Sequence, residues 1–293
     1  MAAPAFLVFE LGVGALALAC FGHAWRAGKP RVAGLLAGVI YGVLLEYAAI
    51  QAFHAYRYGQ FLVMIGGVPL CIGLSWGVII YAAMATSDQF GLPWFLRPVV
   101  DAMLALTIDL GMDAIAIRLG FWTWGAAGPW FGVPLGNFYA WFLVVFGFSL
   151  VLRLARRSAL AGRRALLGDM AVVGVAVPLS VLGLVPVLRP YLALLSQGRV
   201  AWLILGGLLG AGALFALWAA LRPRQQHSPD LLLLGVPLSF HGFFFGALVW
   251  SGIGRQTPAL IGISALVLAA SLLLHGGAHR HAYKSSLSVE RSA

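Results

Sequence analysis

Between Pro4 and His275 the chain is a succession of apolar runs, each close to the ~20 residues that a helix needs to cross a bilayer, separated by short polar breaks. The template fits about nine segments, at 4–25, 32–52, 61–84, 95–119, 136–154, 165–187, 200–220, 231–251 and 257–275. Barrel strands would instead show alternating segments of ~10 residues, and at this apolar density only helices satisfy their own backbone. The expected fold is therefore an all-α polytopic transmembrane helix bundle of eight to nine spans. Its 293 residues divide into a single integral membrane domain over 1–275 and a polar cytoplasmic tail over 276–293. Only 10% of the residues are charged, which excludes a soluble enzyme, a disordered protein and a nucleic-acid-binding module. Glu10 in its apolar core, and the lack of a basic stretch before it, mark the first run as a span rather than a signal peptide.

The net charge of +10 is a topology signal, because the lysines and arginines sit in or beside the breaks. Fourteen of the 19 fall after odd-numbered runs, and Arg153, Arg156, Arg157, Arg163 and Arg164 form the densest cluster. The expected orientation puts the N-terminus outside and the C-terminus inside, in the plasma membrane of a prokaryote. Cys20 and Cys71 lie within apolar runs and read as small packing residues. Pro69, Pro178 and Pro237 fall inside runs, where proline shapes a bundle by bending its helices.

Chemistry is expected where charge survives at bilayer depth, since an ionisable side chain there costs at least ~2.5–3.5 kcal/mol. The chain has nine acidic residues, and Glu10, Glu46, Asp101, Asp109 and Asp113 lie inside predicted spans. Arg97, one turn before Asp101, predicts a structural ion pair. Asp109 and Asp113 lack such a neighbour and share one helix face a turn apart. Two carboxyls so close in a dry setting do not both ionise, which leaves a protonated acid beside an acceptor or base. The alternative is a hydrogen-bonded polar knot that holds helices together.

Under the charge-based topology Glu10, Glu46, Asp109 and Asp113 share one leaflet level with two aromatic connections, Phe53 to Tyr58 and Phe121 to Pro134. Those aromatics can anchor the interface or line a greasy pocket that stabilises a cation. His23, His54, His227 and His241 are too scattered for a di-iron oxygenase, and His275, His279 and His281 read as part of the basic tail, so no metal site is expected. No phosphate loop or dinucleotide fingerprint occurs. Asp109-Leu-Gly-Met-Asp113 is superficially like a Mg²⁺-diphosphate site, but Arg118 is the only basic residue near it. His241, mid-span, is open to either packing or the pocket.

The run Asp109-x₃-Asp113, Trp122-Thr-Trp124, then Phe131-Gly-Val-Pro-Leu-Gly-Asn137-Phe138 and Trp141 resembles the signature of the carotenoid biosynthesis membrane protein family. Glu46 followed by Phe53, Tyr56, Tyr58 and Trp76 is similar to a second patch of that signature. The chain departs from the pattern at Ala114, where proline is usual, at Ala140, where glycine is, and in a shorter spacer from Glu46 to Tyr56. The resemblance implies a cofactor-free hydratase, of lyase type, acting on a hydrophobic carotenoid or other isoprenoid substrate among membrane lipids. Asp109, Asp113 and Glu46 would then be catalytic, and Tyr56, Tyr58, Trp122, Trp124, Phe131, Asn137 and Trp141 would bind substrate. Two other readings stay open: a proton-initiated terpene or carotenoid cyclase, and a proton-coupled transporter or lipid-binding scaffold.

Overall fold

The computed structural model describes residues 2–54, 56–157, 198–221 and 230–276. They form an all-α polytopic bundle of helices α1 (Ala2–Ala27), α2 (Lys29–Phe53), α3 (Leu70–Ser87), α4 (Arg97–Leu119) and α5 (Leu135–Arg157), followed by α6 (Arg199–Leu221), α7 (Leu231–Trp250), the short α8 (Ile253–Gln256) and α9 (Pro258–Gly276). Seven of these, all but α4 and α8, are long and apolar enough to cross a membrane. The run at 165–187, with Pro178, and nearly all of the tail at 276–293 lie outside the described residues.

Helix α4 is long enough to span, with 23 residues, but carries three aspartates and two arginines. It tolerates them because it is the central helix, packed against α3, α5, α6, α7 and α9 and buried along most of its length. A charge that never faces lipid can be solvated by other protein groups, and those groups are supplied from the helices around it.

Two sequence expectations are corrected. The third run does not begin a helix at 61. Its first residues form a small hairpin, β1 (Met64–Ile65) against β2 (Val68–Pro69), and α3 starts at Leu70. The cause is Gly66-Gly67, whose φ values of 59° and 88° supply the left-handed pair that a two-residue hairpin turn demands. Pro69 is thus the N-cap of α3 and bends nothing, whereas Pro237 does lie inside α7.

The second correction concerns Asp101, which does not pair with Arg97. Asp101 is fully buried and accepts from Ser87, Ser149 and, at 3.0 Å, Arg153 of α5. Arg97 turns outward instead, donating to Leu92 O at 2.8 Å and to Asp88 at 2.9 Å. Asp88 also meets Arg31 at 3.1 Å and Arg153 at 2.6 Å. A wholly buried carboxylate needs several donors, and one residue a turn away cannot supply them. This network ties α2, α3, α4 and α5 together at one end of the bundle, called here the arginine end.

Candidate functional site

At the opposite end, the site begins with a glycine seam between α2 and α3. A Cβ on Gly77 would lie 3.0 Å from Val39 N, and one on Gly42 would lie 2.5 Å from Trp76 Cβ. Only a glycine leaves room for so close an approach by its neighbour, as in small-residue helix seams in membranes. The seam lays Trp76 along α2, where its Nε1 donates to Glu46 Oε1 at 2.7 Å, one turn beyond Gly42. Glu46 Oε2 accepts from the Tyr56 and Tyr58 hydroxyls, the latter at 2.7 Å. The carboxyl of Glu46 is thereby committed as an acceptor three times over.

Those tyrosines belong to a lid. The short strand Tyr56–Tyr58 pairs antiparallel with the strand Trp122–Trp124, Tyr56 opposite Trp124 and Tyr58 opposite Trp122. Strand side chains alternate, so the four aromatic rings share one face while Arg57 and Thr123 are exposed on the other. Tyr56 and Trp124 meet edge-on with centroids 4.9 Å apart. Burial above all, and next the Glu46 carboxylate, hold both phenols well above their ordinary range, which keeps them donors. The lid is pinned by Phe121, whose ring packs against Phe6, Phe9 and Phe61.

Beneath the lid lie the aspartates of α4, 1% and 2% exposed for Asp109 and Asp113. Asn137, in the first turn of α5, bridges them: its Nδ2 donates to Asp109 Oδ2 at 2.8 Å and to Asp113 Oδ2 at 2.7 Å. Asp113 Oδ1 takes the Trp122 indole N–H. Asp109 Oδ1 is buried and has no hydrogen-bond partner among the described residues. The two carboxyls are therefore inequivalent. Asp113 has a donor on each oxygen, the environment of a carboxylate, whereas the free oxygen of Asp109 is the place for a proton.

Asp109, Asp113 and Glu46 line one chamber of about 70 Å³, walled by Trp76, Trp122, Trp124 and Trp141 and by the two lid tyrosines. The Trp76 and Trp141 rings lie 4.2 Å apart, centre to centre. A second, more apolar space of about 400 Å³ adjoins it between α2 and α5 and shares Glu46, Tyr56, Trp76, Trp124, Asn137 and Trp141.

Nine of the ten residues singled out from sequence line the inner chamber; Phe131 does not. Phe131 sits in the loop before α5 at φ 50°, its carbonyl accepting from Arg118 at 2.8 Å and its ring against Trp130. Glu10 is also elsewhere: its carboxylate accepts from Leu62 N at 2.8 Å, outside the chamber. His241 lines a small separate cavity with Gly111 and Ser264. Trp76 and Ser75 are chamber residues absent from the predicted site. Trp76 lies in the second resembling patch, which was the available signal; Ser75 carried none.

Comparison with curated proteins finds no match, and neither does comparison with solved structures. The carotenoid biosynthesis protein family does match, over residues 4–195, a stretch that holds α1 from Pro4 onward, α2 to α5, the lid and every residue lining the inner chamber. With more than half of its length matched in this way, the chain belongs to the carotenoid biosynthesis protein family.

Proposed function

We propose that the protein is a membrane-embedded lyase that hydrates a terminal trisubstituted double bond of an acyclic carotenoid or related isoprenoid. The observation that carries this reading is the unpartnered Asp109 Oδ1 beside a fully donated Asp113, in a chamber walled by aromatic rings. Protonated Asp109 transfers its proton to the less substituted alkene carbon, leaving a tertiary cation and an Asp109 carboxylate. The faces of Trp122, Trp124 and Trp141 stabilise that cation. Water adds its oxygen to the cationic carbon, and its surplus proton returns to the aspartate pair. The net change is alkene plus water to tertiary alcohol. Asn137 holds the pair in register, and Glu46 fixes the lid through Tyr56 and Tyr58.

The aromatic walls also favour a second reading, in which water is kept out and a neighbouring double bond captures the cation to close a ring. In either case the placement is one integral membrane domain over 1–275, lid outward and arginine end with the tail at 276–293 cytoplasmic, in a prokaryotic plasma membrane. The test is the product formed when purified protein in vesicles receives an acyclic carotenoid. Hydration adds the mass of one water. An unchanged mass with a new ring identifies the cyclase, and unchanged substrate together with proton-coupled uptake identifies a transporter.

A further inference from the structure

Helices α2 and α5 are tied together over one half of their length and parted over the other. Toward the arginine end, Arg156 Nη2 donates to Pro30 O at 2.7 Å, and the Tyr41 hydroxyl donates to Val144 O at 3.1 Å. The Tyr41 ring lies 4.8 Å from that of Phe148, which completes the tie. From Tyr41 toward the lid, the apolar space of about 400 Å³ separates the two helices.

Its helix walls are a stripe from each side, Leu45 and Ala49 on α2 and Gly136, Ala140 and Val144 on α5, and His54, Gly125, Ala126 and Pro134 line it at the lid end. Spacings of four and eight residues give the α5 stripe a length of roughly 12 Å, about two turns. Leu44 and Tyr47, beside the α2 stripe, are 42% and 46% exposed and so face outward from the bundle. The inner end of the cleft is the Trp76, Asn137 and Trp141 wall that it shares with the carboxyl chamber. A mostly apolar space thus runs between α2 and α5 up to the carboxyl chamber.

The geometry points to a lateral portal: an acyclic isoprenoid dissolved in the bilayer threads its end group between the lid halves of α2 and α5 into the carboxyl chamber. Ala49 and Ala140 set the width of the opening. The nature of the occupant rests on the hydration reading; the passage itself rests on the cleft. An apolar cleft lined by small side chains and continuous with the site suits a long, thin hydrocarbon, which cannot approach through water in quantity. The Tyr41–Val144 tie stops the chain from sliding further toward the arginine end.

The test uses the full-length protein in vesicles. A bimane label at Ala49→Cys, on a background with Cys20 and Cys71 replaced by alanine, is expected to be quenched by lipids brominated on their acyl chains and to be relieved when an acyclic carotenoid is added. Ala140→Phe is expected to weaken binding of that carotenoid by about tenfold or more, equivalent to losing the burial of roughly two methylene groups, while Ala140→Gly keeps it. Should Ala140→Phe fail to fold, Ala49→Leu serves in its place. Quenching by aqueous iodide alone, or undiminished binding by the narrowed variants, overturns the portal. The product formed by the parent protein is read in the same vesicles. No hydrated product there, with weakened binding by Ala140→Phe, defeats the hydration reading and leaves the portal standing.

Discussion

Arg153→Met isolates the energetics of the arginine end. The Arg153 guanidinium is the donor to Asp101 at 3.0 Å and to Asp88 at 2.6 Å, and its side chain is 8% exposed. Asp101 itself is fully buried, so deleting the cation leaves it with two serine hydroxyls and no countercharge. Breaking one side of a buried ion pair costs about 3–5 kcal/mol, most of it the burden of the stranded charge. Asp101→Asn in the Arg153→Met background removes that charge and should recover a large part of the loss. Arg97→Met should cost about 1 kcal/mol or less, because Arg97 is 26% exposed and Asp88 keeps Arg31 and Arg153. Unfolding in mixed detergent micelles measures all three. Activity per folded molecule should be retained, since Asp101 lies two turns, roughly 12 Å, from Asp109 along α4. An Arg153→Met protein as stable as the parent, or one no worse than Arg97→Met, refutes the reasoning.

Gly42→Ala drives a methyl into Trp76 and should destabilise by about 1–3 kcal/mol while loosening the Trp76–Glu46 bond, read as lower unfolding resistance and changed indole fluorescence. Tyr56 and Tyr58 should stay protonated at alkaline pH where a free tyrosine ionises, near ~10. The folded state holds these protons more tightly than the unfolded chain, so the stability they contribute is complete below about pH 10 and declines as pH rises past it. Tyrosinate absorbance of the parent against Tyr56→Phe and Tyr58→Phe follows this directly. A cysteine at Arg157, on the Cys20 and Cys71 alanine background, should resist an impermeant thiol reagent added outside intact cells; labelling from outside inverts the proposed orientation.

Hydropathy located the long helices because their runs match the bilayer, but it has no means of seeing that Gly66-Gly67 turns the chain before α3. The aspartate pair was legible for a local reason: positions four apart share a helix face. Asp101 misled for the same reason, since helical proximity to Arg97 says nothing of Arg153, 52 residues on, which pairs with it. The lid was half legible. Tyr-Arg-Tyr and Trp-Thr-Trp have the strand period of two, yet three residues each are too few to declare strands until their pairing is seen. Trp76 and Glu46 meet across 30 residues through a glycine seam, a contact that no local pattern encodes.

The central claim, that the Asp109 carboxyl starts the reaction, is tested most directly by the turnover of purified, folded Asp109→Asn with an acyclic carotenoid in vesicles. Asparagine keeps the volume and accepts or donates hydrogen bonds, so the bridge to Asn137 and the fold can survive while the acid is gone. The account predicts a loss of about 10² or more in turnover, the scale of general acid catalysis, with a smaller loss for Asp113→Asn. Turnover by Asp109→Asn equal to that of the parent contradicts it.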